Sequence, residues 1–375
     1  MKVIFTLDTL GNSGTEKSTL DIVAHFSTQT EVKVVSFYPG DDLKAAYQAA
    51  GIEVIDMGMA ATDSWKNAIA PFIQLLKREK PDLVVSSILR ANLISRKACK
   101  KTGIPLVGTF VSDSYSKIRM ESFGWKRRLG FLYYYWLDRL SAGIPVRYIS
   151  NSECIKISNA SKLHIPVEKV EVIYRGRTSE LYHEKENHWN EGTFRFVYVA
   201  RLLETKGIAE LVKAFASLTQ EFPDAVLDIY GDGNYRKSIE QLVQQSELQQ
   251  KVMMHGKVPD GWKKLYGGDC FVFPSWNEGF SGSLVEAMMV GIPIIASDIP
   301  MNLEAVTHNK TGLTFPVKNT DALADQMRFA IKHYDTMKEM AKAARKEALD
   351  RFDIKVIARQ YEAALQQVVK NRHIH

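Results

Sequence analysis

Short apolar runs alternate with stretches of helical period through almost the whole chain, and no other feature constrains the fold as strongly. In the first half the strand-like runs are 3–7, 31–37, 53–56, 83–86, 106–111, 148–150 and 170–173, separated by helical stretches at 17–28, 43–50, 65–80 and 93–102. In the second half, runs at 194–200, 225–230, 252–255, 270–273, 294–296 and 312–315 alternate with helices at 207–221, 235–246, 283–289 and 320–333. Alternation of this kind with short Gly- and Pro-rich turns predicts open parallel sheets of the α/β class.

A chain of 375 residues exceeds the size at which one core usually keeps growing, so two domains are expected. The polar, aperiodic segment HEKENHWNEG at 183–192 reads as the linker. The expected division is a first Rossmann-like domain over 1–185, a second over 186–355, and a C-terminal helix over 356–375 that can pack back on the first domain. In doubly wound sheets ligands bind at the carboxyl ends of the strands, so two such domains would hold a site where they face each other across a cleft.

The three cysteines, Cys99, Cys154 and Cys270, form no CxxC pair, which excludes a readable zinc or redox motif and suits a reducing compartment. The N-terminal apolar run is too short for a signal peptide and Asp8 interrupts it. The longest uncharged apolar stretch, about 287–296, falls well short of the ~20 residues of a spanning helix. A cytoplasmic protein with at most peripheral contact at the inner face of the membrane is expected. The net charge of +6 is uneven: residues 1–185 carry 26 Lys and Arg against 19 Asp and Glu, and residues 186–375 carry 23 against 24.

Gly11-Asn-Ser-Gly-Thr-Glu-Lys-Ser18 nearly spells a Walker A loop, but Glu16 stands where glycine must let the backbone approach phosphate. A capping box, Ser13-x-x-Glu16, explains the segment better. Gly14 then either permits close approach of a ligand or simply makes a strand-to-helix turn.

The strongest chemical signal is Glu278-Gly-Phe-Ser-Gly-Ser-Leu-Val-Glu286, placed between a strand and a helix. Gly279, Phe280, Ser281, Gly282 and Ser283 supply small residues and backbone N–H groups at a helix start, suited to a diphosphate. Glu286 can accept hydrogen bonds from a ribose diol beside it. The alternative is that both glutamates only favour the helix dipole. A second signal is Val199-Ala-Arg-Leu-Leu-Glu-Thr-Lys-Gly207, where Arg201 and Lys206 leave the end of a strand as two cations for a departing diphosphate. Read alone, they are solvated surface charges. The strand-turn Ile229-Tyr-Gly-Asp-Gly233 contributes Gly231 and Gly233 as further donor-side candidates.

These residues resemble the family-4 glycosyltransferases of GT-B fold, over essentially the whole chain. Glu278 and Glu286 stand for the family's E-x7-E signature, Arg201 and Lys206 for its arginine–lysine pair, and Glu286-Ala-Met-Met-Val-Gly-Ile-Pro for the motif that follows. The segment holding Lys257 and Val258 resembles the stretch that meets the nucleobase. The resemblance implies transfer of a sugar from a UDP- or GDP-sugar donor with retention of configuration, with no cofactor and no metal. Glu278 would meet the donor sugar and Glu286 the ribose. The N-terminal half departs from the family: its H-[ST]-H histidines fall on Val85 and Ser87. Arg90 and Asp113 are the candidates on the acceptor and sugar side.

The stretch from Lys117 to Trp136 joins Lys117, Arg119, Lys126, Arg127 and Arg128 to Phe131, Tyr133, Tyr134, Tyr135 and Trp136. It reads either as a membrane-surface contact for reaching a polyprenyl-linked acceptor or as an ordinary amphipathic core helix. No nucleic-acid-reading motif is present, so nucleic acid is not an expected partner. Two other functions share the sequence features: a nucleotide-sugar 2-epimerase and a non-catalytic nucleotide-sugar-binding module.

Overall fold

The computed structural model describes residues 1–115, 120, 124–186, 189 and 192–372, without the side chains of residues 126 and 372. The chain folds as two units: Met1–Gly176 together with the helix Ile354–Arg372, and Arg177–Asp353.

The first unit is built on seven parallel strands: β1 Lys2–Leu7, β2 Glu31–Ser36, β3 Glu53–Asp56, β4 Leu83–Ser86, β5 Leu106–Phe110, β6 Arg147–Ser150 and β7 Val170–Val172. Their spatial order is β3-β2-β1-β4-β5-β6-β7. β4 and β5 are buried along their whole length, as expected of central parallel strands covered by helices on both faces. The order reverses between β1 and β4, which pair in register from Val3 with Leu83 to Thr6 with Ser86. Loops leaving these two strands diverge there and open a crevice at their carboxyl ends.

The second unit has six parallel strands: β8 Arg195–Val199, β9 Val226–Tyr230, β10 Val252–Gly256, β11 Cys270–Phe273, β12 Ile294–Ser297 and β13 Leu313–Phe315. Their order, β10-β9-β8-β11-β12-β13, reverses between β8 and β11. Arg201 and Lys206 follow β8, and Glu278 follows β11. The two chemical signals of the sequence therefore lie on the two loops that diverge at the switch point.

The domain division falls at Gly176–Arg177 and not at 185–186. The polar segment after Tyr182 belongs to the second unit, because Lys185 N–H donates to the Val290 carbonyl at 2.9 Å and Arg345 Nη2 to the Tyr182 carbonyl at 3.1 Å. The C-terminal helix packs into the first unit, where Ile354, Ile357, Tyr361 and Leu365 join Val3, Phe5 and Ile149 in one core cluster. Glu362 on that helix accepts from Ser27 Oγ at 2.7 Å and Ser27 N–H at 3.1 Å.

Two local readings change. Ser13 occupies the N-cap position of helix Gly14–Val23, but its hydroxyl donates to the Glu16 carboxylate and makes no cap bond, so the reciprocal capping box is not formed. Helix Leu89–Thr102 starts four residues before the periodic stretch, because the Asp8 carboxylate accepts from Ala91 N–H at 2.7 Å and serves its first turn. Helices Glu153–Leu163 and Tyr334–Phe352 carry no strong apolar period. Their inward faces mix Asn159, Ala160, Ala341, Ala344 and Ala348 with larger side chains such as Ile155, Leu163, Met337 and Phe352.

Candidate functional site in the second unit

The site starts from a glycine. Gly207, just after Lys206, has φ +68, and a Cβ there would stand 2.0 Å from the Pro274 carbonyl oxygen. Only glycine allows the β8 loop and the β11 loop this approach. Trp276 N–H then donates to the Thr205 carbonyl at 2.9 Å, and Ser275 Oγ to the same oxygen at 3.5 Å. This stitching brings Lys206 Nζ onto Glu278 Oε1 in an ion pair whose side chains are only 13% and 12% exposed. Tyr198, at the end of β8, is buried and donates to the Arg201 carbonyl at 3.3 Å. Burial foremost, then the Glu278 charge, pushes its phenol above the usual range, so it stays a neutral donor. Arg201 itself is exposed.

The neighbouring loop is tied in the same manner. Cβ atoms on Gly231 and Gly233 would stand 1.8 Å from the Ala200 oxygen and 2.2 Å from the Leu202 oxygen. These two glycines serve loop-on-loop backbone packing behind Arg201. Gly231 N–H donates to the Gly256 carbonyl at 2.8 Å, which joins the end of β10 to the same platform. There His255 stacks on Tyr230 with ring centroids 4.3 Å apart, and its Nε2 lies 2.6 Å from the buried Asp228. Lys257, exposed, and Val258, half-buried, follow on the loop beyond.

The Gly/Ser loop divides its labour. Ser281 Oγ accepts from Leu284 N–H at 3.4 Å and caps helix Gly282–Val290, which fixes the side chain on the helix and leaves its O–H to donate. Phe280 is buried and packs its ring on Phe352 at 5.2 Å, so its side chain belongs to the core and is not a ligand contact. Gly282 and Ser283 keep first-turn N–H groups, which have no partner within the helix. Gly279 precedes them in the loop. One turn into the helix, Glu286 Oε1 accepts from Arg177 Nε at 2.8 Å. Sequence reasoning missed Arg177, which lies 109 residues away along the chain in a segment with no motif.

The remaining candidates lie in the first unit. Gly14 opens a helix beside Arg175, with 3.5 Å between its would-be Cβ and Nη1. Arg90 Nε reaches Asp8 at 3.4 Å, and its guanidinium lies 3.6 Å over the Tyr38 ring. Burial raises the Asp8 carboxyl above its ordinary value, against the lowering effect of its bonds to Ala91 and Arg90. Asp113 is held by Lys162 Nζ at 2.8 Å and Ser158 Oγ at 3.0 Å. A cavity of about 270 Å³ opens nearby, lined by residues that include Ile88, Asn92, Ser112, Tyr115 and Asn159 but by neither Arg90 nor Asp113. Asn92 Oδ1 is buried and unpartnered among the described residues. Ile88 holds φ +72, a strained conformation for a β-branched residue. Among the described residues no three His, Cys, Asp or Glu side chains cluster as a metal site, and no helix is long and apolar enough to cross a membrane.

Two family models divide the sequence almost completely: "Glycosyltransferase Family 4" matches residues 12–180 and "Glycosyl transferases group 1" matches residues 181–347. The chain belongs to the family-4 glycosyltransferases. Among curated relatives, this chain is 26% identical over 246 residues to the uncharacterized glycosyltransferase MJ1059 of Methanocaldococcus jannaschii. That match spans 60% of this chain and 58% of the relative's length. It is 26% identical over 293 residues to the UDP-Gal:alpha-D-GlcNAc-diphosphoundecaprenol alpha-1,3-galactosyltransferase of Escherichia coli, covering 75% and 74% of the two chains. The crystal structure of Anabaena HepE in complex with UDP superposes with a TM-score of 0.82 over 98% of this chain and 100% of that one, at 21% identity. This likeness establishes the GT-B fold for this chain.

Proposed function

We propose that this glycosyltransferase moves a sugar from a nucleoside-diphosphate sugar to a glycan or polyprenyl-linked acceptor, with retention of configuration and without a metal. The observation that carries the reading is the shielded Lys206–Glu278 pair at the switch point of the second unit, with Arg201 on the same loop. The diphosphate binds against Gly279, Gly282 and Ser283, and the base lies along Lys257 and Val258. As the glycosidic bond breaks, the leaving phosphate gains charge, and Arg201 and Lys206 stabilise that charge more than the ground state. Glu278, held by Lys206, accepts from donor-sugar hydroxyls. Retention follows if the acceptor attacks the same face that the leaving phosphate vacates, its proton passing to that phosphate. Arg90 and Asp113 serve the acceptor side, and the cavity that holds Asn92 and Asn159 takes acceptor hydroxyls. Crystal structures of HepE with UDP and with UDP-glucose support the donor class. The E. coli relative, which acts on a diphosphoundecaprenol, supports the acceptor class.

The test is a panel of UDP- and GDP-sugars scored for thermal stabilisation and slow donor hydrolysis without added metal. Stabilisation and hydrolysis by one donor class are expected. Stabilisation with isomerisation of the sugar in place of hydrolysis would make the protein an epimerase, and binding with no turnover on any acceptor extract would make it a binding module.

A membrane contact rests on a separate observation. Helix Trp125–Ser141 exposes Trp125, Leu129, Leu132, Tyr133, Trp136 and Leu140 along one face, with Leu140 80% exposed. Its other face is pinned by Asp138, which pairs with the fully buried Arg96. An ordinary core helix would turn these apolar residues inward. Exposed Arg128 borders that face and exposed Arg127 lies in the same first turn; Lys117 and Arg119 lie outside the described residues, as does the Lys126 side chain. The fitting partner is an anionic membrane surface, where basic groups meet headgroups and the aromatic face enters the interface. Flotation with anionic vesicles should recover the protein, and a Leu129→Ser, Trp136→Ser variant should stay at the bottom. Equal flotation of the two would refute the contact.

A further inference from the structure

The Arg177 guanidinium occupies an unusual seat. A Cβ on Gly282 would stand 1.8 Å from Arg177 Nη2 and 2.9 Å from Cζ, so the guanidinium abuts the first residue of the helix end-on through Nη2, where any larger side chain would displace it. Its backbone is fixed as firmly: Arg177 N–H donates to the Phe352 carbonyl at 2.9 Å, and a parallel bridge joins Arg177 to Asp353. Phe280, two residues before Gly282, packs on the same Phe352. From this seat Nε donates to Glu286 Oε1 at 2.8 Å, with side-chain exposures of 20% and 19%. Glu286 Oε2 makes no hydrogen bond among the described residues. A cation against a helix N-terminus opposes the helix dipole, so the seat is not explained by the helix alone. An aligned carboxylate with one oxygen spoken for and the other presented is the arrangement that recognises a hydroxyl pair with fixed geometry.

We propose that Arg177 is a positioning residue that aligns Glu286 for the ribose hydroxyls of the nucleotide, and that Gly282 is glycine to seat it. The inference rests on the donor site proposed above. Arg177 touches the carboxylate and acts through it: it holds one oxygen and leaves Oε2 to accept from the ribose. Removing Arg177 frees the Glu286 side chain to rotate, and the nucleotide loses its ribose readout while base and diphosphate contacts remain.

The test compares binding of UDP and GDP with their 2′,3′-dideoxy counterparts by calorimetry. In the wild-type protein, loss of hydroxyls that donate to a carboxylate should weaken the bound nucleotide by about 10-fold or more. Arg177→Ala and Gly282→Ala should each reduce that discrimination to within about threefold. In Arg177→Ala, Glu286→Ala should add little to the loss. Arg177→Lys, which restores a cation without the planar fork, should recover part of it. A purely structural role would lower thermal stability and leave the hydroxyl discrimination as in the wild type; full discrimination in a folded Arg177→Ala or Gly282→Ala variant therefore overturns the inference. If the wild-type protein binds neither nucleotide, the donor site itself is wrong and the inference falls with it. Binding without hydroxyl discrimination in the wild type leaves the donor site standing and refutes Glu286 as the ribose acceptor, and Arg177 with it.

Discussion

Lys206→Ala is the perturbation whose magnitude the structure defines best. Lys206 and Glu278 each expose only about an eighth of the side chain, at 13% and 12%. Breaking a fully buried ion pair costs ~3–5 kcal/mol, and an exposed pair contributes ~0–1 kcal/mol. A pair shielded to this degree lies between the two, so leaving Glu278 unpaired should cost about 2–3 kcal/mol. For a domain of this size that lowers Tm by roughly 4–12 °C. Catalysis suffers separately. Removing one preorganised contact to developing charge costs ~2.7–4 kcal/mol, or about 100- to 1,000-fold in kcat/KM. The two effects part company in the double variant Lys206→Ala, Glu278→Gln. A neutral amide leaves no unpaired charge, so stability should return towards the wild-type value, while turnover stays low. The assay pairs thermal melts with single-turnover hydrolysis of the donor found in the nucleotide-sugar panel. Wild-type kcat/KM in Lys206→Ala, or recovery of turnover along with stability in the double variant, would refute a transition-state role for this lysine.

Gly207→Ala should be severe for its size: a left-handed non-glycine backbone costs about 1–3 kcal/mol, and the new Cβ would stand 2.0 Å from the Pro274 oxygen. Urea melts should show the loss and donor turnover should fall with it; a neutral substitution would mean that the two loops do not meet in this manner. Hydrogen bonds from Lys33 first, then Lys2 and Arg78, hold the Glu79 carboxyl down at about 2. A depressed acid contributes stability above its unfolded value near ~4.5 and loses it as pH falls towards 2, so Glu79→Gln should flatten the acid limb of a stability–pH profile over that window and leave the neutral region less changed in slope. Burial pushes the Cys99 thiol up to about 12 and the Cys270 thiol well above its usual value. A thiol reagent at pH 8 should therefore titrate at most one cysteine, Cys154, in the native protein and three after denaturation; fast reaction of two or more in the native state would contradict the packing.

The strand plan was legible because each run carries its own signal. Parallel strands buried on both faces read as continuous apolar runs, as in Leu83–Ser86 and Cys270–Phe273. Helices were legible where large apolar side chains recur with helical period. They escaped where alanine and asparagine interrupt the larger side chains of the inward face, as in Tyr334–Phe352 and Glu153–Leu163. Capping was the least legible, since Ser13 has the right type and spacing but spends its hydroxyl on the Glu16 side chain. The structural parts of Phe280 and Ser281 could not be separated from their neighbours in the Gly/Ser loop until the packing of Phe280 on Phe352 and the cap from Ser281 to Leu284 were on view.

The sequence by itself determined the alternation, the two parallel sheets and the presence of Arg201, Lys206, Glu278 and Glu286 at strand ends, since period, turn chemistry and charge are local properties of the chain. Which groups meet was decided only by tertiary structure. Lys206 reaches Glu278 across 72 residues because a glycine lets two loops touch, and Arg177 reaches Glu286 across 109 because Gly282 leaves room for its guanidinium. Contacts of that range depend on where separate strands end in one sheet, and no local pattern encodes that position.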